Sequence, residues 1–131
     1  VKTIHVAVGV LINPAGAVLI ARRPDRVYQG GLWEFPGGKV EEGEPVAVAL
    51  NRELHEELGV TVQVAEPWLQ VGHDYPDQRV WLDVWRVTAW QGEPQGREGQ
   101  PLVWAWPTEL ATFAFPAADQ PIIAQLTAAQ C

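Results

Sequence analysis

Glu53, Glu56 and Glu57 stand at spacings i, i+3 and i+4 within a glycine-free stretch from Pro45 to Leu58. At about 100° per residue a helix gathers these three carboxylates on one side and turns Leu50, Leu54 and Leu58 onto a neighbouring side. The leucine side can pack while the other presents oxygen. Like charges at this spacing repel by roughly 0.3 kcal/mol per pair in water, and by more where water is partly excluded. A hard divalent cation relieves that repulsion, because Mg²⁺ takes carboxylate oxygens, keeps some of its waters and bridges to the phosphates of a substrate. The bland alternative is a solvated acidic face with Arg52 as ion-pair partner, and for an isolated Glu-rich helix that reading comes first. Gly37 and Gly38, just upstream, shift the balance, since residues without a Cβ let backbone approach a ligand or metal closely.

Charge and composition bound the partners. Sixteen acidic residues against nine basic ones give a net charge of -7 over 131 residues. Such a chain has no general electrostatic footprint for polymeric nucleic acid, and a phosphate-bearing ligand needs a cation brought with it. With 47% hydrophobic residues, the chain is expected to form one domain over residues 1–131 with a core that needs no disulfides. The lone cysteine, Cys131, is expected to be a frayed terminal thiol; it allows neither a disulfide within the chain nor a Cys-based zinc site, and the reducing cytoplasm is the expected compartment. His5, His55 and His73 are too scattered for a zinc site. No apolar run approaches the ~18 residues of a membrane span. A soluble monomer with no membrane association is expected.

The elements that would position these residues follow from pattern. Ile4 to Ile12 and Ala17 to Ala21, joined by Asn13-Pro14-Ala15-Gly16, predict a hairpin. Residues 24–43, rich in Gly and Pro, predict a long functional loop. Pro45 suits the first helical position and Gly59 the C-terminal cap. Thr61 to Val71, Arg79 to Trp90 and Leu102 to Trp106 read as strands, Pro107 to Ala111 as one helical turn, and Ala117 to Ala129 as a terminal helix with an apolar stripe of Ile122, Ile123 and Leu126.

Gly38, Glu44, Arg52, Glu53, Leu54, Glu56, Glu57, Gly59 and Val60 fill the pattern G-x5-E-x7-R-E-U-x-E-E-x-G-U, where U is aliphatic. These nine positions over 23 residues resemble the Nudix box without departure. The resemblance implies an α/β Nudix fold, a mixed β-sheet sandwiched between α-helices, and hydrolysis of a nucleoside diphosphate linked to another group. It further implies Glu53, Glu56 and Glu57 as ligands of Mg²⁺, with Mn²⁺ as a substitute, the Gly37 carbonyl as an extra ligand, and Glu53 as the group that orients or deprotonates the attacking water. Glu44 and Arg52 are expected to brace loop and helix. Metal-assisted attack by water needs no protein nucleophile.

Beyond the box, Val6-Ala7-Val8-Gly9, Arg22-Arg23, Trp33-Glu34-Phe35-Pro36-Gly37-Gly38-Lys39, Tyr75-Pro76-Asp77, Gly96-Arg97-Glu98-Gly99 and Phe115-Pro116 are similar to the MutT branch. That branch sanitises the nucleotide pool by converting 8-oxo-dGTP to the monophosphate and pyrophosphate, with attack at the β-phosphorus. The resemblance implies Glu98 as an additional carboxylate at the metal site and Arg23, Phe35, Gly38, Lys39, Asp77 and Asp119 around the nucleotide. The ordinary alternatives are a solvated Glu98, a surface ion pair for Arg23 and a core position for Phe35. Asp119 departs from the pattern, standing where MutT has an asparagine that reads the oxidised guanine; Gln78 and Tyr28 also differ from the usual MutT residues nearby. An ionised Asp only accepts hydrogen bonds, so it can take the N7 proton of 8-oxoguanine but cannot also donate to O6 unless a raised pKa keeps it protonated. The alternatives are a Nudix pyrophosphatase for CTP or modified dCTP and, from another class, a catalytically silent nucleotide sensor or an acidic protein-interaction module.

Overall fold

The computed structural model describes residues 2–129, so Cys131 lies outside the described residues. Its strands are β1 (Thr3–Leu11), β2 (Val18–Arg22), β3 (Trp33–Glu34), β4 (Gly37–Lys39), β5 (Thr61–Asp74), β6 (Arg79–Gln91) and β7 (Leu102–Ala105). Two α-helices, α1 (Val46–Leu58) and α2 (Gln120–Ala128), join them, with 3₁₀ turns at Pro107–Thr112 and Ala117–Asp119. Among the described residues no helix is long and apolar enough to cross a membrane.

β1 lies inside a four-stranded mixed sheet of order β4-β1-β6-β5, parallel to β6 and antiparallel to β4, while β5 pairs antiparallel with β6. A second sheet has the order β3-β2-β7. Strand alternation turns Val8 and Val10 of β1 into one core with Leu82, Val84 and Ile122, and Ala7 and Leu11 into another with Leu50, Leu54 and Leu58. Helix α1 therefore covers one face and α2 the other, the mixed-sheet-between-helices architecture expected. The three α1 leucines are almost fully buried, each worth about 1.5–3 kcal/mol. That burial fixes which way the glutamate side of the helix faces.

Three expectations need correction. The predicted hairpin is absent: β1 and β2 enter different sheets, and between their adjoining ends the backbone pairs as an isolated antiparallel bridge, Ile12–Val18. The turn between them does form, with the Asn13 side-chain oxygen accepting from the backbone N–H of Ala15 at 3.1 Å and of Ala17 at 2.9 Å, but both edges of β1 are taken by β4 and β6. The long loop 24–43 contains the short strands β3 and β4. Pro45 is the N-cap of α1, with Val46 the first helical residue, whereas Gly59 caps the C-terminus at φ 75° as expected. Smaller differences lie at element ends. β5 runs on to Asp74, and the terminal helix begins as a 3₁₀ turn before α2.

Candidate active site

Gly37 and Gly38 sit where β4 is pressed between β1 and α1. A Cβ on Gly37 would fall 2.0 Å from the backbone oxygen of Ala7, and one on Gly38 would fall 2.2 Å from the Glu53 carboxyl carbon. Only residues without a side chain let β4 come this close. Arg52 locks the arrangement: its Nε and Nη2 donate to the two oxygens of Glu44 at 2.9 and 3.0 Å, Nη2 also donates to the Lys39 carbonyl at 3.0 Å, and Nη1 donates to Glu53 at 2.9 Å. This guanidinium ties Glu44, which precedes the N-cap Pro45, to strand β4 and the first carboxylate of the helix. Glu44 is held below the usual carboxylate range by that hydrogen bond.

The helical carboxylates differ in surroundings. The Glu56 side chain is 56% exposed and 3.7 Å from Arg52. Glu53 is raised by burial against the opposing pull of Arg52. Glu57 accepts from the Gly37 amide at 3.2 Å and is pushed up to about 9, first by burial and then by the carboxylates of Glu34, Glu53 and Glu98. Among the described residues no three His, Cys, Asp or Glu side chains converge to hold a metal as they stand, since Glu53 and Glu56 turn to Arg52 and Glu57 to Gly37. The donor chemistry nevertheless fits a hard cation. Several carboxylates repel one another around a buried oxygen pair, and a nearby positive charge would relieve that repulsion.

Glu98 reaches this neighbourhood because its loop satisfies the open end of α1. The last carbonyls of a helix lack intrahelical donors. Here the Leu58 carbonyl accepts from the Gln95 amide at 3.0 Å, and that of Glu57 accepts from the Arg97 amide at 3.1 Å and the Gln100 side chain at 3.0 Å. Gln100 also accepts from the Glu98 amide at 2.8 Å.

Beside the carboxylates opens a cavity of about 460 Å³. Gly37, Gly38 and Lys39 line it, and so do Val6, Val8 and Leu82 from the sheet face. Phe35 is both wall and core, stacked on Phe115 at 5.2 Å. Asp119 lines the cavity at 8% exposure, and its carboxylate makes no hydrogen bond among the described residues. Burial first, and then Glu34, push it up to about 7 against the pull of Arg23.

A family profile described as a NUDIX domain matches residues 7–125. The chain belongs to the Nudix family. It is 39% identical over 125 residues to the 8-oxo-dGTP diphosphatase of Escherichia coli K12, covering 95% of this chain and 97% of that protein. It is also 39% identical, over 116 residues, to the CTP pyrophosphohydrolase of the same strain, covering 88% and 86%. A solved structure from a study of MutT from Aliivibrio salmonicida and Vibrio cholerae matches with a TM-score of 0.85 at 40% identity, covering 98% of this chain and 99% of that one. The chain is thus similar both to an 8-oxo-dGTP diphosphatase and, over a shorter stretch, to a CTP pyrophosphohydrolase.

In this Nudix chain Arg23, Phe35, Gly37, Gly38, Lys39 and Asp119 line one cavity. Glu98 lines the neighbouring one. Asp77 lies outside both linings and is reached through the Tyr28 hydroxyl, which donates to it at 3.2 Å. Sequence reasoning missed Glu34 and Tyr75. Glu34 lines the cavity, takes Arg23 Nη1 at 2.8 Å, and is raised by burial against the pull of that arginine. A charged residue between Trp33 and Phe35, three residues ahead of Gly37, was the available signal. Tyr75 fixes the far wall, its hydroxyl accepting from the Ala118 amide at 3.0 Å.

Proposed function

We propose that residues 1–131 form a single divalent-cation-dependent nucleoside triphosphate pyrophosphohydrolase that converts 8-oxo-dGTP to 8-oxo-dGMP and pyrophosphate in the cytoplasm. The observation that carries this reading is the buried Asp119 carboxylate, without a hydrogen-bond partner among the described residues, on the wall of a cavity whose lining includes the box glycines Gly37 and Gly38. The Asp119 oxygens keep some exposure to the cavity, so they are open to the polar edge of a ligand, and a base supplies one. In its protonated form Asp119 offers one donor and one acceptor, the pair that O6 and N7–H of 8-oxoguanine require.

Glu53, Glu56, Glu57, Glu98 and the Gly37 carbonyl are the ligands we assign to Mg²⁺ or Mn²⁺. The ion would supply Lewis acidity and neutralise charge along the phosphate chain. Glu53 orients water and takes its proton. The water oxygen bonds to the β-phosphorus as the bond from that phosphorus to the α–β bridging oxygen breaks. The monophosphate leaves with the bridging oxygen. Arg23 and Lys39 face the nucleotide, with Arg23 steadied by Glu34 and by the Tyr28 carbonyl at 3.0 Å; Phe35 supports the base, and Asp77 steadies Tyr28 at the rim.

A second reading, hydrolysis of CTP or modified dCTP, is favoured by the same residue in its other state. Ionised Asp119 only accepts, which suits the exocyclic amine of cytosine. The test is a panel of 8-oxo-dGTP, dGTP, dCTP and CTP with Mg²⁺ and resolved products. The expected outcome is 8-oxo-dGTP favoured over dGTP and dCTP by more than about tenfold in kcat/KM, a difference of ~1.4 kcal/mol. CTP as the best substrate would exchange the two readings. Nucleotide binding without turnover of any of the four would leave a silent sensor.

A further inference from the structure

A second cavity of about 390 Å³ adjoins the first, sharing Arg23 with it. Arg22, Arg23 and Arg26 line it, facing Glu98 and Gln100. Three of the nine basic residues of a chain with net charge -7 thus meet in one concavity. Arg23 is committed to Glu34 and Tyr28, and Arg22 donates to Asp25 at 2.9 Å. The Arg26 guanidinium makes no hydrogen bond or ion pair among the described residues.

We infer that this cavity is a subsite for the terminal phosphates of the nucleotide, holding the pyrophosphate portion through Arg26 and Arg22. The inference rests on the proposed triphosphate hydrolysis for its place in the reaction. Two features select an anion as occupant. The lining residues are Arg, Pro, Asp, Glu, Gly and Gln, with no aromatic ring on which a base could stack, and a guanidinium fork matches phosphate oxygens. A third feature selects the phosphate end. Glu98 is on this wall and near enough for its charge to act on Glu53, Glu57 and Glu34, and the two cavities share Arg23, so this cavity and the carboxylate site are neighbours. A phosphate chain held at those carboxylates would extend its far end toward the arginines.

The ordinary alternative is a solvated loop whose arginines only offset the acidity of the surface. Titrating inorganic pyrophosphate, and separately a nucleoside monophosphate, into the full chain with Mg²⁺ distinguishes the two. In Arg26→Ala the Kd for pyrophosphate is expected to rise about tenfold, the scale of one charge-assisted hydrogen bond, with the monophosphate Kd unchanged. Arg26→Lys should recover part of the loss. Arg26 is exposed, so the alanine variant is expected to keep its fold. Unchanged pyrophosphate affinity, equal weakening of both ligands, or no pyrophosphate binding by the unaltered chain would each overturn the subsite. Because the titration requires no turnover, an inactive protein would sink the hydrolysis reading while leaving this measurement decisive.

Discussion

Asp119 carries two chemistries separated by one proton. Neutral, it imitates the donor and acceptor pair of an asparagine; ionised, it only accepts. Burial brings the exchange to about 7, and the charged or titratable groups lining the same cavity are Arg23 from β2 and its flank, Glu34 from β3, Lys39 from β4, and Tyr28 and Tyr75 from the loops. The ratio of kcat/KM for 8-oxo-dGTP over CTP is therefore expected to fall between pH 6 and pH 8.5, and Asp119→Asn should flatten that profile while favouring 8-oxo-dGTP throughout. A profile of the same slope in the variant would remove Asp119 from base reading. Stability gives an independent check. Between the ordinary value of 3.8 and about 7 the folded chain keeps a proton that the unfolded chain has released. The unfolded state then binds fewer protons, so stability falls as pH rises through that window. Relative to the natural chain, Asp119→Asn should gain about 5 °C or more in Tm between pH 4 and pH 8.

At the scale of elements, the two glycines of β4 are constrained by different neighbours, which separates fold from activity. Gly37→Ala would drive a Cβ into the backbone of β1, where relief requires moving a strand, so a loss of several degrees in Tm is expected. Gly38→Ala would first meet the end of the Glu53 side chain, which can swing aside. Its Tm should stay within about 3 °C of the natural chain, while kcat falls about a hundredfold because Glu53 is displaced from the reacting water. Equal Tm losses in the two variants would show that Glu53 cannot move away. The same elements show what was legible in the sequence. Helix α1 was, because its period, its flanking Pro45 and Gly59 and its leucine stripe are all local. Strands β3 and β4 were not, since two or three residues become a strand only through distant partners. β1 was misassigned to a hairpin because its parallel neighbour β6 lies more than seventy residues away, as in the register Thr3–Arg79. At the site, Glu53, Glu56 and Glu57 follow from helical spacing. The approach of Glu34 and Glu98 depends on how β3 and the 92–101 loop dock: the charge of Glu34 between two aromatic residues only marks it out, and Glu98 is reached through the family resemblance, not through spacing.

For the molecule as a whole, folding gathers negative charge that it then desolvates. The chain carries -7 overall, and Glu34, Glu57 and Asp119 are all raised by burial. A cation bound only by the folded state stabilises it by mass action, about 2.7 kcal/mol at a hundred times its Kd. For a domain of this size that corresponds to a rise of about 10 °C in Tm. Adding Mg²⁺ to the natural chain should therefore raise Tm by roughly that amount at saturation. Glu57→Gln should abolish turnover and most of the Mg²⁺ shift together. Its amide oxygen can still accept from the Gly37 N–H, now 3.2 Å from the glutamate, and needs no proton taken up to be neutral when buried. The metal-free variant should consequently melt no lower than the metal-free natural chain. A metal-free melting point several degrees below would instead make Glu57 a structural residue, with its lost turnover a consequence of a weakened fold.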